Sequence, residues 1–119
     1  MSSRTATRNV LSVFAAFVLV LTLAAPSNAA TVRVRGRNSS WHPQSVSINR
    51  GSRVVWRAVD RTHTVTAYRG DWSKNTTISA GERTRFTFNS AGRYKYRCTL
   101  HSSLSNGVCN GMCGKVVVG

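Results

Sequence analysis

From residue 31 onward the chain alternates apolar and polar side chains in short runs, with no helical period and no heptad. Successive side chains of an extended strand point to opposite faces, so such a run buries one face and wets the other. In Thr31 to Arg37, Val32 and Val34 alternate with Arg33 and Arg35; Val46 and Ile48 share a parity in Ser45 to Asn49, and Val54 and Trp56 share one in Arg53 to Val59. Phe86 and Phe88, then Tyr94, Tyr96 and Cys98, then Val116 and Val118 repeat the pattern toward the C-terminus. Asn49-Arg50-Gly51 and Ser90-Ala91-Gly92 have the composition of turns between strands. About seven or eight strands spaced roughly 8–12 residues apart predict an all-β sandwich or barrel.

The N-terminal segment follows a different logic. Arg4 and Arg8 precede an uncharged stretch from Val10 to Ala25, and Ser27-Asn28-Ala29 places small residues where a signal peptidase reads. That order predicts a secretory signal peptide over residues 1–29 and an exported mature domain over residues 30–119. The apolar run is short of the roughly 20 residues that a membrane span requires. No cysteine adjoins the cut, and Arg4 and Arg8 are not adjacent, so neither a lipid anchor nor a twin-arginine signal is expected. A domain of this length has a modest core, which a metal, a disulfide or closed sheets would reinforce.

Charge is lopsided: 17 Lys and Arg against 3 Asp and Glu give a net +14. The acids are Asp60, Asp71 and Glu82. Such a field attracts acidic proteins, anionic cell-surface polymers or nucleic acid. Parity places Arg33, Arg35, Arg85, Lys95 and Arg97 on the polar side of their strands, which reads as a solvated outer face that also discourages edge-to-edge pairing. Specific nucleic-acid recognition is not expected. Three acids offer no convincing carboxylate pair, and no Ser-His-Asp pattern stands out, so an enzyme is not expected either.

Three cysteines, Cys98, Cys109 and Cys113, follow the leader. An odd count in an exported chain leaves one over or gives one another task, and pairing Cys109 with Cys113 would leave Cys98 free for a metal. Cys98 shares the inward parity of Tyr94 and Tyr96, and Cys98-Thr99-Leu100-His101 leaves that strand, with Met112 downstream. His63 lies at the expected start of another strand, Thr62 to Thr66. Two imidazoles, a thiolate and a thioether form a donor set that suits Cu(I) and Cu(II) moderately well, because soft sulfur favours one state and nitrogen the other. His42, which precedes Pro43 in a turn-like segment, is not expected to be a ligand, and Trp41, Trp56 and Trp72 are expected to pack in the core or at its rim.

At these residues the chain resembles the cupredoxin family, the plastocyanin and pseudoazurin type in particular. Trp41-His42-Pro43 followed by Val46-Ser47-Ile48, Val54-Val55-Trp56 leading to Asp60 and His63-Thr64-Val65, and Ala80-Gly81-Glu82 before Phe86-Thr87-Phe88 are similar to its early segments. Gly92 to Cys98, His101, and Met112-Cys113-Gly114-Lys115-Val116 match its ligand loop, the most specific motif of the set. The resemblance implies a Greek-key β-sandwich holding one type 1 copper, with His63, Cys98 and His101 as equatorial ligands and Met112 as a weak axial one. It also implies a role in shuttling single electrons between redox proteins, of which the charge suggests at least one is acidic, with His101 beside Leu100 as the electron's exit; the chain is expected to be a monomer. The alternative is an extracytoplasmic copper-binding and delivery protein, which needs Cys109 and Cys113 reduced.

Three features depart from the family. Leu100 stands where many members carry Pro, and the stretch from Asp60 to His63 is short, so the partner of the thiolate is not fixed by the resemblance. Ser102 to Val108 reads as an insertion between His101 and Met112. A Cys109–Cys113 bridge closed over an Asn110-Gly111 turn is expected to pinch off that insertion and fix Met112 at the metal.

Overall fold

Burying one face of each alternating run requires a second sheet to cover it, and the chain supplies two. The computed structural model describes residues 28–119; the leader expected over residues 1–29 lies outside the described residues except for its last two positions. The strands are β1 (Thr31–Arg37), β2 (Ser40–His42), β3 (Ser45–Ile48), β4 (Ser52–Ala58), β5 (His63–Arg69), β6 (Asn75–Ile78), β7 (Arg83–Phe88), β8 (Gly92–Ser105) and β9 (Val108–Val118). They form a four-stranded sheet in the order β2-β1-β4-β7 and a five-stranded sheet in the order β3-β9-β8-β5-β6. Pairing is antiparallel except for β1 with β4 and β3 with β9. The chain crosses between sheets repeatedly, which is the expected Greek-key sandwich, with nine strands among the described residues rather than seven or eight.

The two additional strands are β2 and β6. Three residues with one inward tryptophan are too few to display alternation, and Asn75-Thr76-Thr77-Ile78 carries a single apolar side chain. Backbone pairing to β1 and β5 orders them instead.

The predicted parities become the core. Val34, Val54, Trp56, Tyr96, Cys98 and Val116 are fully shielded, and Val46, Ile48, Phe88, Tyr94 and Val118 are buried. Val32 and Phe86 are only partly buried and pack against this core. Trp72, from the β5–β6 connection, lies against Phe86, Phe88 and Tyr94 and closes the core from the side. Its indole N–H donates to the Arg69 carbonyl at 3.1 Å. Tyr94 donates its hydroxyl to the Ser90 carbonyl at 2.7 Å and so anchors the turn into β8.

The sandwich is open between β6 and β7, which lie in different sheets, and Lys74 bridges them. Its Nζ donates to Thr76 Oγ1, Thr84 Oγ1 and the Arg85 carbonyl at 3.3, 2.8 and 3.2 Å. Partial burial lowers its pKa from the usual lysine range.

One close approach determines how tightly β8 and β9 pack. Tyr96 faces Gly114 directly across the ladder, and a Cβ on Gly114 would overlap the Tyr96 ring itself. Gly114→Ala is therefore expected to destabilise the fold by about 1–3 kcal/mol, the usual range for an overpacked core. Urea unfolding checks this as a lower midpoint at unchanged slope.

Candidate metal centre

The five-stranded sheet brings three donor atoms to one pole. His63 begins β5, and its ring orientation is set by Asp60 three residues earlier. Asp60 Oδ1 lies 2.8 Å from His63 Nε2. Asp60 Oδ2 accepts the Asn38 N–H at 2.9 Å, which anchors the carboxylate to the β1–β2 turn. In that turn Asn38 and Ser39 both have positive φ, the left-handed geometry of a tight hairpin. The Asn38 N–H, and then His63, hold the Asp60 carboxyl far below its ordinary range. An ionised carboxylate can only accept, so the His63 proton resides on Nε2 and the Nδ1 lone pair faces inward.

His63 Nδ1 lies 3.3 Å from His101 Nδ1 and 3.8 Å from Cys98 Sγ, and His101 Nδ1 lies 3.3 Å from Cys98 Sγ. The three donor atoms sit within 4.8 Å of one another. His63 and Cys98 are fully shielded, whereas His101 reaches partway to solvent beside the exposed Leu100. Desolvation, with the cationic Arg61 nearby, lowers the pKa of His101 from the usual histidine range. A buried cluster of inward lone pairs on two nitrogens and one sulfur is costly without a cation among them, and the N2S set matches copper's two oxidation states.

Cys98 has a hydrogen-bond partner that the sequence did not identify. The Thr64 N–H donates to Cys98 Sγ at 3.3 Å. Thr64 Oγ1 in turn accepts the Thr99 N–H at 2.8 Å and lies 3.0 Å from Thr99 Oγ1. Thr66 donates to Thr64 Oγ1 at 3.0 Å, which orients the hydroxyl. These bonds join β5 to β8 beyond the last paired residues, Thr66 and Arg97. A threonine inside a strand gives no local sign of this role. Asp60 did leave a sign: it is one of three acids in the chain, placed three residues before a histidine.

Met112 reaches the same pole through register rather than proximity in sequence. In the β8–β9 ladder Arg97 pairs with Cys113 and Ser102 with Gly111, so the four residues Cys98 to His101 bulge out opposite Met112 alone. Met112 is fully shielded. A Cβ on Gly36 of β1 would lie 3.1 Å from Met112 Cε, 3.1 Å from His63 Cδ2 and 2.8 Å from Trp41. The bare backbone there lets all three side chains crowd against the site. Trp41 covers it, with its ring 5.9 Å from that of His63.

The insertion and the bridge differ from expectation. Ser102 to Val108 continues the β8–β9 hairpin, with Ser103 paired to Asn110 and Ser105 to Val108, and the tight turn is Asn106-Gly107 rather than Asn110-Gly111. Cys109 and Cys113 are bonded, with Cα atoms 6.1 Å apart, but both lie on β9. The bridge therefore does not pinch off the insertion, which its own ladder closes; it ties the bend around Gly111 beside Met112. Gly111, at φ 103°, lies so close to the His101 carbonyl that a side chain there would collide with it. His42 is exposed on β2.

Residues 29–119 match the family of copper-binding proteins described as the plastocyanin/azurin family. No curated protein matches the chain at a significant level. Among solved structures, an oxidised amicyanin variant is 25% identical over 77% of this chain and 83% of its own, with a TM-score of 0.62. A reduced amicyanin variant is 23% identical over 75% and 82%, at 0.61. A copper-containing nitrite reductase from Thermus scotoductus SA-01 is 24% identical over 75% of this chain at 0.63, but this chain spans only 22% of it.

Proposed function

The chain belongs to the plastocyanin/azurin family of copper-binding proteins, and on that premise we propose that it is exported and carries single electrons between redox proteins on one type 1 copper. In this reading His63, Cys98 and His101 hold the ion and Met112 is its weak fourth donor. The observation that carries the reading is the convergence of two Nδ1 atoms and one Sγ within 4.8 Å at a shielded pole. Bound there, copper supplies a one-electron Cu(II)/Cu(I) couple.

The chain's own residues account for the rest. Asp60 fixes the His63 ring and Thr64 holds the Cys98 sulfur, so the donors keep their places in either oxidation state. With four side chains closing on the centre, no position remains for a substrate, which favours a carrier over a catalyst. His101 is the partly exposed member of the set, and Leu100 beside it is 59% exposed. That edge forms the contact through which an electron leaves. Residues 30–119 hold 15 Lys and Arg against 3 Asp and Glu, and this net +12 favours a partner with an acidic docking surface. Residues 1–29 serve as the export leader and residues 30–119 as the copper domain. The Cys109–Cys113 bridge weighs against a delivery role, because it withholds the two additional thiols that Cu(I) hand-over would use.

Absorption and voltammetry of the copper-loaded protein test this. An intense thiolate-to-Cu(II) band toward the red and a reversible one-electron wave are expected; a colourless Cu(I) protein that surrenders its metal to an acceptor would overturn the reading. Met112→Leu tests the fourth donor. Removing a fourth electron donor, which any donor atom supplies more usefully to the more highly charged Cu(II), is expected to raise the potential by more than about 60 mV, a tenfold change in the one-electron ratio. An unchanged potential would remove Met112 from the ligand set.

A further inference from the structure

The outer face of the four-stranded sheet, which holds none of the four metal-site residues, carries a dense array of arginines. β1 contributes Arg33, Arg35 and Arg37, β4 contributes Arg53 and Arg57, and β7 contributes Arg83 and Arg85, all on the parity opposite the core. The ladders set them side by side. Arg35 pairs with Arg57 and Arg57 with Arg83, while Arg33 and Arg85 flank Val55. With strands about 4.8 Å apart and alternate residues roughly 6.7 Å apart, the face is a grid of guanidinium groups.

Like charges directly opposite one another destabilise a sheet, and among the described residues no carboxylate pairs with them. Among the described residues the ion pairs are Arg61 with Asp60 and His63 with Asp60, both at the metal pole. Arg53 Nε is buried without a hydrogen-bond partner, and its Nη2 makes only a 3.5 Å contact to Thr31 Oγ1. Two shallow hollows of about 430 and 180 Å³ lie between these side chains, the first walled by Arg53, Arg83 and Arg85 and the second by Arg33, Arg35 and Arg57. The choice of cation is also pointed. Residues 30–119 hold twelve arginines and three lysines, and the planar guanidinium fork matches phosphate oxygens in a way that an ammonium does not.

We propose that this face binds a linear phosphodiester polymer that carries no bases, seating phosphates in the two hollows and along the Arg35–Arg57–Arg83 row. The outward positions of the sheet carry no Phe, Tyr or Trp on which a base could stack, which argues against a single-stranded nucleic acid. They carry one apolar side chain between the arginines, Val55, and it is half-buried, so there is nothing to insert into a bilayer. The metal cluster belongs to the other sheet, so a polymer lying here leaves His101 and Leu100 free. The protein would thus be held at an anionic polymer while still able to meet redox partners.

Titration of the copper-loaded protein with a glycerol-phosphate oligomer tests this. Affinity should fall steeply with salt, with a log–log slope of about −3 to −4 if four to six phosphates are neutralised. Arg35→Gln combined with Arg57→Gln and Arg83→Gln should weaken binding at least tenfold and flatten the slope by roughly 2. The same triple variant should melt higher than the parent without polymer, because the repelling row is gone. Neutralising Arg93, Lys95 and Lys115 on the other sheet removes the same charge and should leave affinity within about twofold of the parent. The visible copper band reports that each variant is folded. If the triple variant does not fold, Arg57→Gln alone should still cost about two- to threefold. Equal losses in the two triple variants would mean a diffuse field and overturn the proposal. Tighter binding to an oligothymidylate of equal phosphate number, or to phosphatidylglycerol vesicles, would overturn it in favour of nucleic acid or membrane.

Discussion

Replacing Cys98 with serine is expected to abolish the intense red absorption band and the reversible Cu(II)/Cu(I) wave together. The band requires a thiolate bonded to Cu(II), and Cys98 is the one free cysteine; Cys109 and Cys113 are consumed in their bridge. A serine oxygen is harder and sits on a shorter bond, so it favours neither Cu(I) nor the distance at which the two Nδ1 atoms converge. The loss should also be readable as stability. A ligand at 100 times its Kd adds about 2.7 kcal/mol to the folded state, which for a domain of this size is roughly a 10–20 °C rise in Tm. Copper should produce that rise in the parent and little of it in Cys98→Ser, while the two metal-free proteins melt close together. A serine variant that kept the band would remove Cys98 from the metal site and with it the proposed carrier function.

Asp60→Asn carries the second large effect, although Asp60 touches no metal. Its carboxylate meets His63 Nε2 at 2.8 Å and the Asn38 N–H at 2.9 Å, so it fixes which His63 nitrogen is free and ties that ring to the β1–β2 turn. An amide at position 60 can point its oxygen at only one of these donors, and it carries no charge to strengthen the imidazole. Copper affinity at pH 7 is expected to fall about 10- to 100-fold, the usual cost of losing a carboxylate behind a ligating histidine. Competition with a chelator of known affinity measures this. The band should keep its position and intensity at saturating copper, because the three proposed donors are unchanged. A Kd equal to the parent's would show that the Asp60–His63 contact is structural only.

What the residues determined by themselves was local. Parity within a strand is set by neighbouring residues, so the inward placement of Val54 and Trp56, of Tyr94, Tyr96 and Cys98, and of Val116 and Val118 was legible, as was the all-β class. Cys98 and His101 announced themselves because three residues along one segment can place two donors together. Strands too short to alternate, β2 and β6, were not legible, since pairing to distant neighbours orders them. Neither was the support of the site. Asp60 acts through a turn 22 residues away, and Thr64 reaches Cys98 and Thr99 across 34 and 35 residues. The ten-residue gap before Met112 looked like an obstacle, yet the β8–β9 register folds it into a hairpin and returns Met112 to face Cys98 to His101. The arginines showed the same division: their outward parity was written in the sequence, but their alignment into one row across three strands was not. Alternation states which side of a strand is wet; only the hydrogen-bonded register between strands decides which residues from distant parts of the chain stand opposite one another.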